Sequence, residues 1–255
     1  KMDCLNFEHR SGSCRVCVVE VKGRPNLAPA CSTPVTEGME VHTNTLRAIN
    51  ARRTILDLLL SDHPKDCLIC PKNLDCQLQA LAQELGLHHL LYKGEQSTYN
   101  RDLSSKAIAR DLDKCIMCRR CETACNVIQT VGVLSGVGRG FEAVVAPAGL
   151  KPLVETECVF CGQCVQACPV GALTEMDYKY PVWRMLNDPA KTVVVQTAPA
   201  VRVAIGEEFG MAPGSVSTGK MVAALRKLGF DKVFDTDFAA DLTIMEETTE
   251  LIERV

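Results

Sequence analysis

The motif Cys-x-x-Cys recurs along the chain, at Cys14/Cys17, Cys67/Cys70, Cys115/Cys118/Cys121 and Cys158/Cys161/Cys164. Thiols two residues apart on a turning backbone converge on one point, and a thiolate is a soft metal ligand. The chain carries fifteen cysteines among 255 residues. An odd count with no secretory signal does not suit a disulfide scaffold, which is short and evenly paired. The first residue is Lys1 rather than Met, so the natural start is expected to lie upstream. Metal binding is the chemistry that this spacing predicts.

Two groups are specific. Cys115-x2-Cys118-x2-Cys121-x3-Cys125 and Cys158-x2-Cys161-x2-Cys164-x3-Cys168-Pro169 both match the bacterial ferredoxin run, whose fourth cysteine reaches the other cluster. The inferred ligand sets are Cys115, Cys118, Cys121 with Cys168, and Cys158, Cys161, Cys164 with Cys125, each for a [4Fe–4S] cluster. Zinc fits less well, because it takes ligands as two pairs and a triple leaves one thiolate badly placed. Asn126 departs from the pattern set by Pro169. Between the runs, Gly132, Gly136, Gly138 and Gly140 among β-branched residues predict an inserted hairpin.

The third group is His63-x3-Cys67-x2-Cys70-x5-Cys76. A zinc site of three cysteines and one histidine is the alternative. The position directly upstream of two cubane runs, with no fourth cysteine nearby, favours a [4Fe–4S] cluster held by His63, Cys67, Cys70 and Cys76. A neutral imidazole in place of a thiolate raises the potential of such a centre. His9, His42, His88 and His89 have no cysteines at ligand spacing and are expected to be surface or packing residues.

The first group, Cys4-x9-Cys14-x2-Cys17-x13-Cys31, departs from plant-type spacing. Its context is more telling. Ser11-Gly12-Ser13 is a small-residue loop that lets backbone N–H groups approach sulfur, and Val16, Val18, Val19 and Val21 predict a strand. This resembles the [2Fe–2S] loop of ferredoxin-like domains without the opening strands, and implies Cys4, Cys14, Cys17 and Cys31 as ligands. Fifteen cysteines and His63 then fill one [2Fe–2S] and three [4Fe–4S] centres, with no cysteine left over.

The elements that must carry these groups are those of a folded chain, 47% hydrophobic and 23% charged. A net charge of −3 provides no basic face for nucleic acid, and no apolar run is long enough for a membrane span. Apolar stripes predict helices over 46–60 and 77–85, the latter stopped at Gly86. Further on, a strand over 192–196 leads into a helix over 199–209. Ser217-Thr218 caps a helix over 221–228, which stops at Gly229. A strand at Val233-Phe234 and a helix through Met245, Leu251 and Ile252 complete the opening of an α/β lobe. Gly214-x4-Gly219-Lys220 matches a phosphate loop, but Met221 stands where Ser or Thr must hold magnesium, so no nucleotide is expected there.

The predicted fold class is therefore α+β and modular. A truncated β-grasp [2Fe–2S] domain spans 1–43 and a His-ligated [4Fe–4S] domain spans 44–95. A double-cubane ferredoxin domain follows at 96–185, and the start of an α/β catalytic lobe at 186–255.

This order of sites resembles the amino-terminal half of long [FeFe]-hydrogenases, of some molybdenum formate dehydrogenases, and of the large peripheral subunit of complex I. The segments Gln196–Gly210, Gly219–Phe230 and Val233–Glu247 are similar to the start of the [FeFe]-hydrogenase catalytic domain. The other two families continue instead toward a molybdopterin-type domain. The resemblance is best to the multimeric NAD(P)-linked, electron-bifurcating members. It implies an oxidoreductase that interconverts H2 with protons and electrons through four iron–sulfur clusters. The alternative is an electron-transfer subunit, or the amino-terminal part of a formate dehydrogenase or complex I-like subunit, without hydrogenase activity.

In that family the H-cluster cysteines lie further downstream, so this stretch is expected to be a fragment with no catalytic residue. Ala198 and Pro199 are implied only as pocket wall. The resemblance also implies a hetero-oligomer with a flavin, NAD(P)H-oxidising iron–sulfur subunit and a ferredoxin, while exposed low-potential clusters and free thiolates point to a reducing cytoplasm. Arg52-Arg53 and Arg119-Arg120 are basic pairs that can guide acidic donors.

Overall fold

Residues 11–255 are described by a computed structural model; Cys4 and His9 lie outside them. The chain divides into two units, the first ending at Met176 and the second spanning Asp177–Val255.

The first unit opens on β1 (Val18–Val21), flanked antiparallel by β2 (Ala28–Pro29) and β3 (Val41–His42). Val18, Val19 and Val21 are buried, which suits β-branched side chains on a pleated surface. Helix α1 (Leu46–Asp62) begins where the Thr45 hydroxyl accepts the Ala48 N–H at 3.2 Å. Arg52 Nε donates to the Val18 carbonyl at 2.9 Å and ties the helix to the sheet. The helix stops at His63, held extended at ψ 136° because Pro64 follows. Helix α2 (Gln77–Glu84) ends at Gly86, whose φ of 65° reverses the chain.

Strand β4 (Ile108–Arg110) precedes the first ferredoxin run, and α3 (Arg120–Thr123) continues into a π-helical turn over Ala124–Ile128. The hairpin between the runs is present as β5 (Ser135–Val137) paired antiparallel with β6 (Val144–Ala146). Helix α4 (Gln163–Ala167) carries the second run, and β7 (Leu173–Glu175) returns antiparallel to β4. Leu56, Leu78, Ile108, Val165 and Val170 are buried in one core that also contains Cys118, Cys121 and Cys168. Each large apolar side chain contributes roughly 1.5–3 kcal/mol on burial, and the cysteine loops are anchored in this core.

The second unit holds α5 (Lys179–Leu186), β8 (Val194–Thr197), α6 (Val201–Ala204), α7 (Thr218–Leu228), β9 (Lys232–Asp235) and α8 (Thr236–Arg254). Strands β8 and β9 are parallel, joined by a crossover through α6 and α7. The helix expected over 199–209 is broken. It forms α6 and then a single 3-10 turn at Glu207–Phe209, because Gly206 and Gly210 weaken it and the Met211 N–H closes back on the Gly206 carbonyl at 3.0 Å. Ser217 precedes α7 as expected, but its hydroxyl donates to the Arg202 carbonyl at 2.7 Å and so pins α7 to α6. The segment leading into Gly214 is loop rather than strand.

Candidate metal centres

Both ferredoxin runs adopt the same unusual backbone. Met117 and Arg119 have φ of 50° and 62°, and the matching Phe160 and Gly162 have φ of 51° and 77°. Left-handed residues at alternate positions curl the chain around its cysteines, at a cost of about 1–2 kcal/mol for each side chain other than glycine. The curl turns N–H groups toward sulfur. Phe160 N–H donates to Cys158 Sγ at 3.4 Å, and the backbone of Met117 and of Val145 donates to Cys115.

Cys118 and Cys121 lie in the field of Cys115 and Cys168, while Cys164 lies in that of Cys158, Cys125 and Cys161. The fourth cysteine of each run thus sits with the other run's triple. Burial, followed by neighbouring sulfur, raises the Cys118 and Cys121 thiols well above the usual range and brings Cys164 to about 12. Cys118, Cys121 and Cys168 are buried, and a thiol that is costly to ionise by itself is ionised when it ligates a metal. A multivalent iron centre is the partner that such a donor set fits.

The His63 group forms the walls of a cavity of about 490 Å3, together with Cys67, Cys70, Cys76 and Gly171. His63 Nδ1 is buried with no hydrogen-bond partner. Burial, then the charge of Lys114, lowers the His63 pKa, the direction that favours the neutral imidazole used in metal ligation. A β-carbon on Gly171 would lie 2.6 Å from Cys70 Sγ, so the glycine leaves room for that sulfur. A buried ring nitrogen without a partner, on a residue that lines one cavity with three cysteines, fits a bound cluster. His88 and His89 also line this cavity, as exposed residues on its rim.

In the first group, Cys14, Cys17 and Cys31 act on one another electrically, and the Gly12 backbone donates to Cys31. The small-residue loop thus approaches sulfur as expected, and Cys4 lies outside the described residues. Among the described residues no three His, Cys, Asp or Glu side chains crowd closely enough for a lone metal ion. Around His63 they line a larger space.

The groups are neighbours in series. Cys14 acts on Cys118, and Cys164 acts on Cys121. A second cavity, of about 740 Å3, is lined by Cys14, His63 and Cys115 together. Two residues without any motif shape the arrangement, Lys114 and Gly171; only the tertiary fold brings them to the His63 group. In the second unit, Ala198 and Pro199 line a small cavity of about 90 Å3 with Thr236 and Asp237.

Comparison with known proteins agrees with this order. Residues 7–46 match the 2Fe-2S iron-sulfur cluster binding domain, 52–90 the NADH-ubiquinone oxidoreductase-G iron-sulfur binding region, and 152–174 the 4Fe-4S binding domain. Residues 191–255 match the iron only hydrogenase large subunit, C-terminal domain. The chain is 61% identical over its whole length to the NADP-reducing hydrogenase subunit HndD of Solidesulfovibrio fructosivorans, covering 43% of that protein. It is 37% identical over 98% of its length to iron hydrogenase 1 of Clostridium pasteurianum, covering 44% of it. The match to the NADH-ubiquinone oxidoreductase 75 kDa subunit of Reclinomonas americana, at 33%, takes in 67% of this chain and 24% of that one. A solved structure, an NAD+-reducing [NiFe]-hydrogenase in the H2-reduced state, superposes with TM-score 0.60 at 30% identity, covering 66% of this chain and 71% of its own. The chain spans less than half the length of the two hydrogenase relatives, and no described helix is long and apolar enough to cross a membrane. With iron–sulfur domains in this order ahead of the matched catalytic stretch, the chain is similar over its length to hydrogenase subunits and, over 191–255, to the iron only hydrogenase large subunit.

Proposed function

We propose that this chain is the electron relay of an [FeFe]-hydrogenase subunit that interconverts H2 with protons and electrons. The observation that supports it most is the series of cysteine groups within electrostatic reach of one another, Cys14 of Cys118 and Cys164 of Cys121. Iron–sulfur clusters, when bound, take up and release one electron at a time. Cys4, Cys14, Cys17 and Cys31 would hold a [2Fe–2S] cluster. Three [4Fe–4S] clusters would be held by His63, Cys67, Cys70 and Cys76; by Cys115, Cys118, Cys121 and Cys168; and by Cys158, Cys161, Cys164 and Cys125.

The protein's own contribution is to bury these donors, aim backbone N–H groups at sulfur and exclude water, which together set the potentials. The match of 191–255 to the hydrogenase domain favours this over a complex I-like subunit. The domain limits near 43, 95 and 185, a cytoplasmic location, and a hetero-oligomer with a flavin, NAD(P)H-oxidising iron–sulfur subunit and a ferredoxin belong to the same proposal. The names of two relatives, an NADP-reducing hydrogenase subunit and an NAD+-reducing hydrogenase, support the nicotinamide link.

The test uses the full-length protein in its native assembly under H2. Cys118→Ser should abolish H2-driven NAD(P)+ reduction while H2 oxidation by an artificial dye survives. Unchanged NAD(P)+ reduction in that variant would overturn the relay.

A further inference from the structure

Lys114 is the residue immediately before Cys115, yet its side chain is only 4% exposed. A lysine is almost never this buried unless it is paired. Its Nζ lies 3.0 Å from Asp66 Oδ2 and 3.1 Å from Asp111 Oδ2, so the ammonium is held charged between two carboxylates. Asp66 directly precedes Cys67, and the lysine therefore links the loop of one centre to the loop of another.

The contact is closer still at Gly171. Cys70 Sγ and Lys114 Cδ both come within 3.3 Å of the point where a Gly171 β-carbon would stand. Lys114 lies behind the wall of the His63 cavity at Asp66 and Gly171, and the lysines that line the cavity itself are placed differently. Lys65 and Lys93 are exposed, and Lys72 is paired at 2.6 Å with the exposed Asp75. Water screens those charges, whereas a buried charge acts at low effective dielectric.

We infer that Lys114 sets the reduction potential of the His63 centre, its buried cation holding that potential above the value the site would otherwise have. The inference rests on the reading of His63, Cys67, Cys70 and Cys76 as a [4Fe–4S] site. Uptake of one electron adds one negative charge there, and a fixed cation nearby favours the reduced form. Asp66 opposes it with the opposite sign. Asp111 is already partly compensated by Arg101 at 3.4 Å. Lys114 is thus a positioning and tuning residue, in contact with the ligand loops rather than with any substrate.

The test is an anaerobic titration of the full-length holoprotein with dithionite and mediators, followed by EPR. The dithionite supplies the electron, and the His63 signal is identified by its loss in Cys76→Ser. Lys114→Gln should lower the midpoint by at least tenfold in the one-electron equilibrium, about 59 mV. Asp66→Asn should raise it, and Lys114→Arg should leave it near the unaltered value. A structural role would shift or erase the signal in the same way in all three. If Lys114→Gln fails to assemble, the rise in Asp66→Asn and the constancy of Lys114→Arg decide the matter. An unmoved midpoint, or one that moves the same way in the Gln and Asn variants, overturns the inference. A missing signal and missing iron in the unaltered protein is a different result, and overturns the cluster reading itself.

Discussion

Gly171 and Cys70, 101 positions apart in sequence, meet so closely that a β-carbon on the glycine would stand 2.6 Å from the cysteine sulfur. A free thiol would rotate away at little cost, whereas a sulfur fixed to iron cannot. Gly171→Ala is therefore expected to cost about 1–3 kcal/mol of overpacking, concentrated on the His63 centre. Iron loss in that variant, followed by the visible absorbance during mild chelation, should be faster than in the unaltered protein. Equal rates would mean that Cys70 is free to move.

The crossed cysteine sets make an additive prediction. Cys115→Ser with Cys168→Ser alters one centre twice and should remove about four irons per chain. Cys158→Ser with Cys168→Ser alters two centres and should remove about eight. Anaerobic iron analysis separates the outcomes; the reverse order would assign each run its own fourth cysteine.

At His63 a neutral ligand stands among three thiolates in the proposed set. His63→Cys would add a negative ligand and should lower the midpoint of that centre by on the order of 100 mV. A midpoint that rises or stays in place in an EPR titration would count against ligation by this ring.

Asp102 and Arg110 form a buried ion pair in the first unit, Oδ2 to Nη2 at 3.1 Å, with side chains 9% and 3% exposed. Burial alone would raise the Asp102 pKa, but the Ser104 hydroxyl, the N–H groups of Leu153 and Ser104, and the Arg110 charge outweigh it and hold the carboxyl below its usual range. A depressed carboxylate adds stability above its unfolded pKa of about 3.9, and loses it as pH falls through the folded value. Asp102→Asn leaves Arg110 buried without its counter-charge and should cost about 3–5 kcal/mol at pH 7. Urea unfolding of both proteins from pH 7 to pH 3 should show that gap narrowing only below about pH 4. A gap that is constant with pH would contradict the assigned role.

Much of this was legible in the residues. The triple spacing of Cys115, Cys118 and Cys121 forces a curled loop whatever surrounds it, and the glycines from Gly132 to Gly140 announce the β5–β6 hairpin. The left-handed Met117 and Arg119 were not legible, because only their counterpart Gly162 carries the glycine that marks such a backbone. The break after α6 was not legible for a related reason, since an isolated glycine such as Gly206 is tolerated inside a helical pattern. Lys114 was invisible because its meaning lies in Asp66, a partner supplied by the tertiary fold.

The measurement that tests the central claim most directly is anaerobic iron and sulfide analysis of the purified chain, with EPR after dithionite reduction. One [2Fe–2S] and three [4Fe–4S] clusters predict about fourteen irons per chain and a signal from each type. Zinc in place of iron at the His63 group, or an iron count near eight, would contradict the four-centre relay and leave a double-cubane protein with structural metal.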